Sequence, residues 1–181
     1  MKKILILVLL IFFCAGSAFC GEFEDTLKNA EQGDVIAQYN LGSMYDNGKG
    51  TTQNYKQAFY WYKKSAEQGN AYAQYNIADM YKNGEGTTQN YKQAFYWYKK
   101  SAEQGNAYAQ YNLGVMYYNG EGITQNYKQA YIWGSLASAQ GHKEAPKFRD
   151  TMAKKLTPQQ LAEAQKLAAQ MQEKIDSAKK P

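Results

Sequence analysis

Chemistry in this chain has few places to reside. His142 is the only histidine, and the two cysteines, Cys14 and Cys20, both fall within the first 20 residues. A bound metal needs three or four convergent nitrogen, sulfur or carboxylate ligands, and the count excludes a His/Cys cluster. Catalysis needs a constellation of groups held in one geometry. Asp79, Glu85 and Glu121 are the acidic candidates, but their separation is set by the stacking of distant segments, which local spacing does not fix. No catalytic residue, metal ligand or cofactor is assigned, and the chain reads as a non-enzyme. What remains conspicuous is the set of 17 tyrosines and three tryptophans, because aromatic side chains are favoured on binding surfaces.

The aromatic residues follow an internal repeat. Residues 37–72 recur at 73–108 and, more loosely, at 109–144, a period of 36. The first two copies differ only at Leu41/Ile77, Gly42/Ala78, Ser43/Asp79, Asp46/Lys82 and Lys49/Glu85. A period of this size marks a solenoid, in which each unit is too small to bury its own apolar face and gains a core by stacking on its neighbours. Even surface positions match between copies, as recent duplication produces, so sameness at a position is no evidence of function.

One unit reads as two antiparallel helices. Ala37, Leu41, Met44 and Tyr45 recur at helical spacing, with Asp34 placed to cap the start and Gly48 to stop it; Asn70 and Asn106 are the equivalent caps. The loop Asn47-Gly48-Lys49-Gly50 supplies two glycines for backbone angles other residues avoid. Asn54 with Gln57 three residues on fits a capping box, and the second helix runs through Ala58, Trp61, Tyr62, Ser65 and Ala66 to Gly69. Trp61, Trp97 and Trp133 share one repeat position inside the buried stripe, so they read as core. Tyr60 and Tyr96 share a face with Lys56, Lys64, Glu67 and their equivalents, and are expected to be partly exposed.

The run Ala37-Gln38-Tyr39-Asn40-Leu41-Gly42, then Tyr45, Gly48-Lys49-Gly50, Ala58, Trp61-Tyr62-Lys63-Lys64 and Ala66-Glu67-Gln68-Gly69-Asn70 resembles the Sel-one-like repeat (SLR), a relative of the tetratricopeptide repeat. Leu27, Ala30, Gln32, Gly33 and Asp34 resemble the end of a preceding second helix. The resemblance implies an all-α fold, a right-handed α-α superhelix of stacked hairpins with terminal caps. With the N-terminal segment and the C-terminal helix read below, the chain divides into a signal peptide (1–20), an N-terminal half-repeat (21–36), three repeats (37–72, 73–108, 109–144) and a degenerate repeat with a capping helix (145–181). The resemblance also implies an adaptor that presents a groove to a protein partner in envelope, secretion or host-contact processes. Some cysteine-rich relatives are described as penicillin-binding or β-lactamase-like; this chain lacks their paired cysteines. A self-assembling structural role is the third reading, and ends that look capped count against it, so a monomer is expected.

The N-terminus carries the marks of export. Lys2 and Lys3 precede an apolar run, Ile4 to Phe13, that is short for a membrane span and ends in small residues. Cleavage after Ala18 or after Cys20 both fit, and the mature protein is expected in the periplasm or outside the cell without a membrane span. Anchoring through Cys20 is disfavoured because Phe19 is bulky where a lipobox needs a small residue. Loss of Lys2 and Lys3 lowers the formal charge from +5 to +3. Ten basic and eleven acidic residues lie between Glu22 and His142, and nine and five from Lys143 onward. So weak an excess is no nucleic-acid footprint.

The candidate binding surface comes from the differences between copies. In the first helix of each unit they fall at Ser43/Asp79/Val115 and Asp46/Lys82/Tyr118, three residues apart, beside the constant Asn40/Asn76/Asn112. Stacked first helices would carry these nine residues as one chemically varied face for a protein partner. Drift at solvated positions would produce the same variation, and both readings stand. At the C-terminal end, Tyr60, Lys64 and Glu67 become Ile132, Leu136 and Ala139 in the third unit. An exposed apolar stripe needs cover. Thr157-Pro158-Gln159-Gln160 has the form of a helix start, and Leu161, Ala164, Ala168, Met171 and Ile175 then draw an apolar stripe. That helix is expected to pack on the third unit, with 145–155 as a degenerate first helix; a free partner-binding helix is the alternative.

Overall fold

The computed structural model describes residues 21–178, and the signal-peptide expectation lies outside them. Every regular element among the described residues is a helix, so the fold is all-α. The chain forms two compact units, one ending at Asn70 and one beginning at Ala71.

The first unit holds α1 (residues 21–31), α2 (Val35–Asn47) and α3 (Tyr55–Glu67). The Asp34 carboxylate accepts the Ala37 N–H at 2.6 Å, which starts α2, and Gly48 in the left-handed region (φ 68°) ends it. α2 and α3 pack as a hairpin around Leu41, Ala37 and Trp61, with Ala30, Phe23 and Leu27 of α1 closing one side. Full burial of a leucine such as Leu41 contributes about 1.5–3 kcal/mol.

The second unit holds α4 (Ala71–Asn83), α5 (Tyr91–Glu103), α6 (Ala107–Asn119), α7 (Tyr127–Ala139), α8 (Ala145–Ala153) and α9 (Pro158–Ala178). α4 pairs with α5 and α6 with α7; α5 packs on α6, while α8 and α9 both pack on α7. Trp97 and Trp133 are buried, as is Trp61 in the first unit, whereas Tyr60 and Tyr96 are about half exposed.

The second-helix caps differ from the capping box. Asn54, Asn90 and Asn126 accept N–H groups of the first turn, but no returning bond from Gln57 forms. The cap N–H is already used: Asn54, Asn90 and Asn126 donate to the carbonyls of Tyr45, Tyr81 and Tyr117 at 2.8 Å, which ties each loop to the preceding helix. The reciprocal box forms at α9, where the Thr157 N–H donates to Gln160 Oε1 at 3.0 Å and the Gln160 N–H to Thr157 Oγ1 at 3.2 Å.

α9 lies along the altered face of α7. Ile132 and Leu136 are buried, and Lys128, one turn before Ile132 on that face, pairs with Glu163 of α9 at 3.4 Å. From α9, Ala164, Ala168 and Ile175 are buried, Leu161 and Met171 half-buried; Ala139 stays exposed. α8 docks through a second exchange. In the first unit a Cβ on Gly42 would lie 2.6 Å from the Tyr62 ring, so that ring fills the place beside the glycine. The third repeat has Gly134 where tyrosine stood, and Phe148 of α8 enters instead: a Cβ on Gly114 would lie 3.1 Å, and one on Gly134 2.9 Å, from the Phe148 ring.

Candidate partner-binding face

Of the nine residues singled out in the sequence, six variable and three constant, Asn40 is exposed and the other eight are half-buried. In the first unit Asn40 is exposed, while Ser43 and Asp46 are half-buried. Ser43 Oγ accepts from Asn47 Nδ2 at 3.3 Å, and Asp46 Oδ2 accepts from the Tyr62 hydroxyl at 3.4 Å. Asn40, Ser43 and Lys49 line a cleft of about 370 Å³, bridged by Lys49 Nζ to Glu22 Oε1 at 2.8 Å.

In the second unit all six are half-buried: Asn76, Asp79, Lys82, Asn112, Val115 and Tyr118. Two belong to an internal network. The Tyr98 hydroxyl donates to Asp79 Oδ1 and accepts from Asn112 Nδ2 at 3.3 Å. Burial first, then the Asp79 charge, holds the phenols of Tyr98 and Tyr75 well above the usual range. Both stay protonated as donors, and the carboxylate's capacity is used internally. The Tyr98 hydroxyl of α5 therefore joins Asp79 of α4 to Asn112 of α6.

Tyr118 joins an aromatic run that the differences between copies do not single out. Tyr75 approaches Tyr108 at 6.1 Å between ring centroids. Tyr108 meets the edge of His142 at 5.2 Å, and His142 stacks on Tyr111 at 4.2 Å with 13° between planes. Tyr111 contacts Phe148 at 5.6 Å, and Phe148 meets Tyr118 edge-on at 6.3 Å. Lys155 Nζ caps the end, 5.8 Å from the Tyr118 centroid and 5.0 Å from that of Tyr127, within cation–π reach. Tyr111 and Tyr118 of α6 face Lys147, Phe148 and Thr151 of α8 across a cleft of about 280 Å³. Tyr75 and Tyr111 do not vary between copies, so the differences between copies do not point to them. Their signal was helical: residues 72, 75, 76, 79 and 82 recur at three and four on one face.

His142 lies just before α8. Its Nδ1 accepts the Glu144 N–H at 3.3 Å, ahead of the start of that helix, which has no side-chain cap. Burial lowers its pKa below 6.5, with Glu144 opposing. Among the described residues no three His, Cys, Asp or Glu side chains converge as a metal site. Glu121 accepts from Asn119 Nδ2 at 2.9 Å, Glu85 is exposed, and Asp79 is held by Tyr98. The face offers stacking surface, amides and the ammonium groups of Lys82, Lys147 and Lys155, none of which forms an ion pair among the described residues.

A family model described as the Sel1 repeat matches residues 35–70, 71–106 and 107–142, each beginning two residues before the frame counted from residue 37. No curated protein matches the chain. Among solved structures, it is similar to a Sel1 repeat protein from Oxalobacter formigenes, at 34% identity over 77% of this chain and 57% of that one, with a TM-score of 0.67. A protective antigen present in uropathogenic Escherichia coli strains, displaying an SLR fold, is 34% identical over 84% of this chain and 41% of its own length, with a TM-score of 0.56. The chain thus spans little more than half of the first relative and under half of the second. Helicobacter pylori cysteine rich protein B, 20% identical over 73% of this chain and 95% of its own, shares the fold with a TM-score of 0.58. Three consecutive matches, each beginning at the first helix of a hairpin and spanning both helices, show that the chain belongs to the Sel1 repeat family.

Proposed function

We propose that the protein is an exported, non-enzymatic scaffold that binds a protein partner across the α6–α8 face of its second unit. Sel1 repeat proteins typically mediate protein–protein interactions, and the finer reading is supported by the cleft between Tyr111, Tyr118 and Phe148. Aromatic anchors in a cleft flanked by charges are the composition of interface hot spots, and Lys82, Lys147 and Lys155 would steer and orient a partner at the rim. Export is supported by the N-terminal segment and by the likeness to a protective antigen; a mature mass lacking about 18 to 20 residues tests it, and full-length protein from the cytoplasm contradicts it. No helix among the described residues is long and apolar enough to cross a membrane, and a monomeric mature protein is part of the same reading.

The binding test is crosslinked capture from the envelope fraction with the wild type and with Lys82→Glu/Lys147→Glu/Tyr118→Ala. These positions spare the Tyr98–Asp79 network, so helicity should hold while a specific crosslinked band disappears. Retention of the same band by the folded variant would remove the face from consideration.

A further inference from the structure

Another cleft of the second unit, of about 350 Å³, lies between the α6–α7 loop and the turn that joins α8 to α9. Lys128, Lys155, Tyr127 and Leu156 line it together with the carboxamides of Gln125, Asn126 and Gln160, and no acidic residue does. Lys155 forms no ion pair among the described residues, and its ammonium lies 5.0 Å from the Tyr127 ring centroid. Lys128 meets Glu163, outside the lining, at 3.4 Å, which engages one of its three N–H donors.

The fold engages acceptors of this cleft and leaves donors. Asn126 Oδ1 accepts the Gln129 N–H at 3.0 Å, and Gln160 Oε1 accepts the Thr157 N–H at 3.0 Å. The N–H₂ group of each amide has no partner among the described residues. Gln125 is the exception: its Nε2 donates to the Tyr118 carbonyl at 2.6 Å, and its oxygen is the part without a partner. Two ammonium groups, two amide N–H₂ groups and the Tyr127 hydroxyl thus surround one free carboxamide oxygen.

The preceding copy shows what this position receives. At the start of α5 the α6–α7 loop packs so closely that a Cβ on Gly122 would clash with the Tyr91 carbonyl, and the same loop carries Glu121, whose Oε2 is buried. Tyr127 and Lys128 are the third-repeat equivalents of Tyr91 and Lys92. After α8, however, the connection is only residues 154–157, against residues 120–126 after α6, and it contains neither glycine nor an acidic residue. A loop bearing a glutamate in one copy is replaced by a cleft bearing a lysine in the next.

We propose that this cleft receives the carboxylate of an aspartate or glutamate in a peptide segment of the docked partner. A carboxylate accepts from ammonium and amide donors alike, and a backbone N–H of the same segment satisfies the Gln125 oxygen. The inference rests on the partner-docking reading. Tyr118 lines the α6–α8 cleft, and Lys155, 5.8 Å from the Tyr118 ring centroid, lines this one, so the two clefts adjoin.

Titration of ¹⁵N-labelled mature protein with N-acetyl-Asn-Gly-Glu-Gly-amide, which copies residues 119–122, with its glutamine counterpart and with inorganic phosphate tests the assignment. The glutamate peptide should shift the amides of Asn126, Tyr127, Lys155 and Gln160 with a Kd of about 10 mM or tighter. The glutamine peptide and phosphate should bind more weakly by about threefold or more, and Lys128→Gln/Lys155→Gln should weaken the glutamate peptide by about as much. Neither lysine belongs to the buried core, and an unchanged amide spectrum elsewhere verifies the fold of the variant. Equal shifts from the glutamine peptide, tighter binding of phosphate, or unchanged affinity in the double variant would each overturn the proposal. The two readings fail separately: absent peptide shifts with the partner still captured overturn this cleft alone, and peptide shifts without capture overturn the α6–α8 face alone.

Discussion

Leu136→Ala tests whether α9 closes the third repeat as an integral part of the core. Leu136 is 1% exposed on the face of α7 that α9 covers. Truncating a fully buried leucine removes its transfer free energy and leaves a cavity, together about 2–5 kcal/mol; a site sealed by a second helix falls near the middle, about 3 kcal/mol. At about 2–4 °C per kcal/mol for a domain of this length, the melting temperature should fall by about 6–12 °C. The equivalent residue in the preceding copy is Lys100, whose ammonium lies 4.9 Å from the Tyr96 centroid at the surface, so Lys100→Ala should cost no more than about 1 kcal/mol. Leu167 on the outer side of α9 is 38% exposed and its truncation should cost about as little. Urea denaturation followed by circular dichroism reads all three. Equal effects for Leu136→Ala and Leu167→Ala would show that α9 is not seated on α7 in solution, and the account of the closed end would fail.

Three further outcomes follow from the packing. Asp79→Val, which installs the residue of the third copy, leaves the buried Tyr98 hydroxyl without its acceptor and should destabilise by about 1–3 kcal/mol; adding Tyr98→Phe should restore part of that, and additive losses in the denaturation cycle would deny the network. Gly134→Tyr, which restores the repeat consensus, should eject Phe148 and undock α8, read as loss of the Tyr111 and Phe148 ring-current shifts; an unperturbed spectrum would contradict the exchange. Because burial depresses the His142 pKa, the unfolded chain binds the proton more readily. The contribution is therefore full above pH 6.5 and declines as the pH falls through that value towards the lower folded-state pKa. His142→Asn should flatten that part of the stability profile, and an unchanged slope would refute it.

The helices, their bounds and the closing role of the C-terminal stripe were legible because the repeat multiplies each weak signal by three and the apolar spacing is helical. The binding face was legible only in part. Differences between copies led to Lys82, Val115 and Tyr118, but also to Asp79, whose carboxylate is engaged by the Tyr98 hydroxyl. The constant tyrosines at 75 and 111 carried no such difference. Phe148 was out of reach for another reason: nothing in the composition of α8 says that its ring replaces one deleted at Gly134, since that exchange exists only when the two helices touch. The half-formed caps at Asn54, Asn90 and Asn126 likewise depend on carbonyls of the preceding helix, those of Tyr45, Tyr81 and Tyr117, that local spacing does not reveal.

Photocrosslinking from defined positions tests the central claim most directly. With p-benzoylphenylalanine in place of Tyr111, Tyr118 or Tyr96 in separate preparations, irradiation in the envelope should yield the same partner adduct from positions 111 and 118 and none from position 96 on α5. Adducts from position 96 with none from 111 or 118 would place the partner on the second-helix surface and contradict the α6–α8 face.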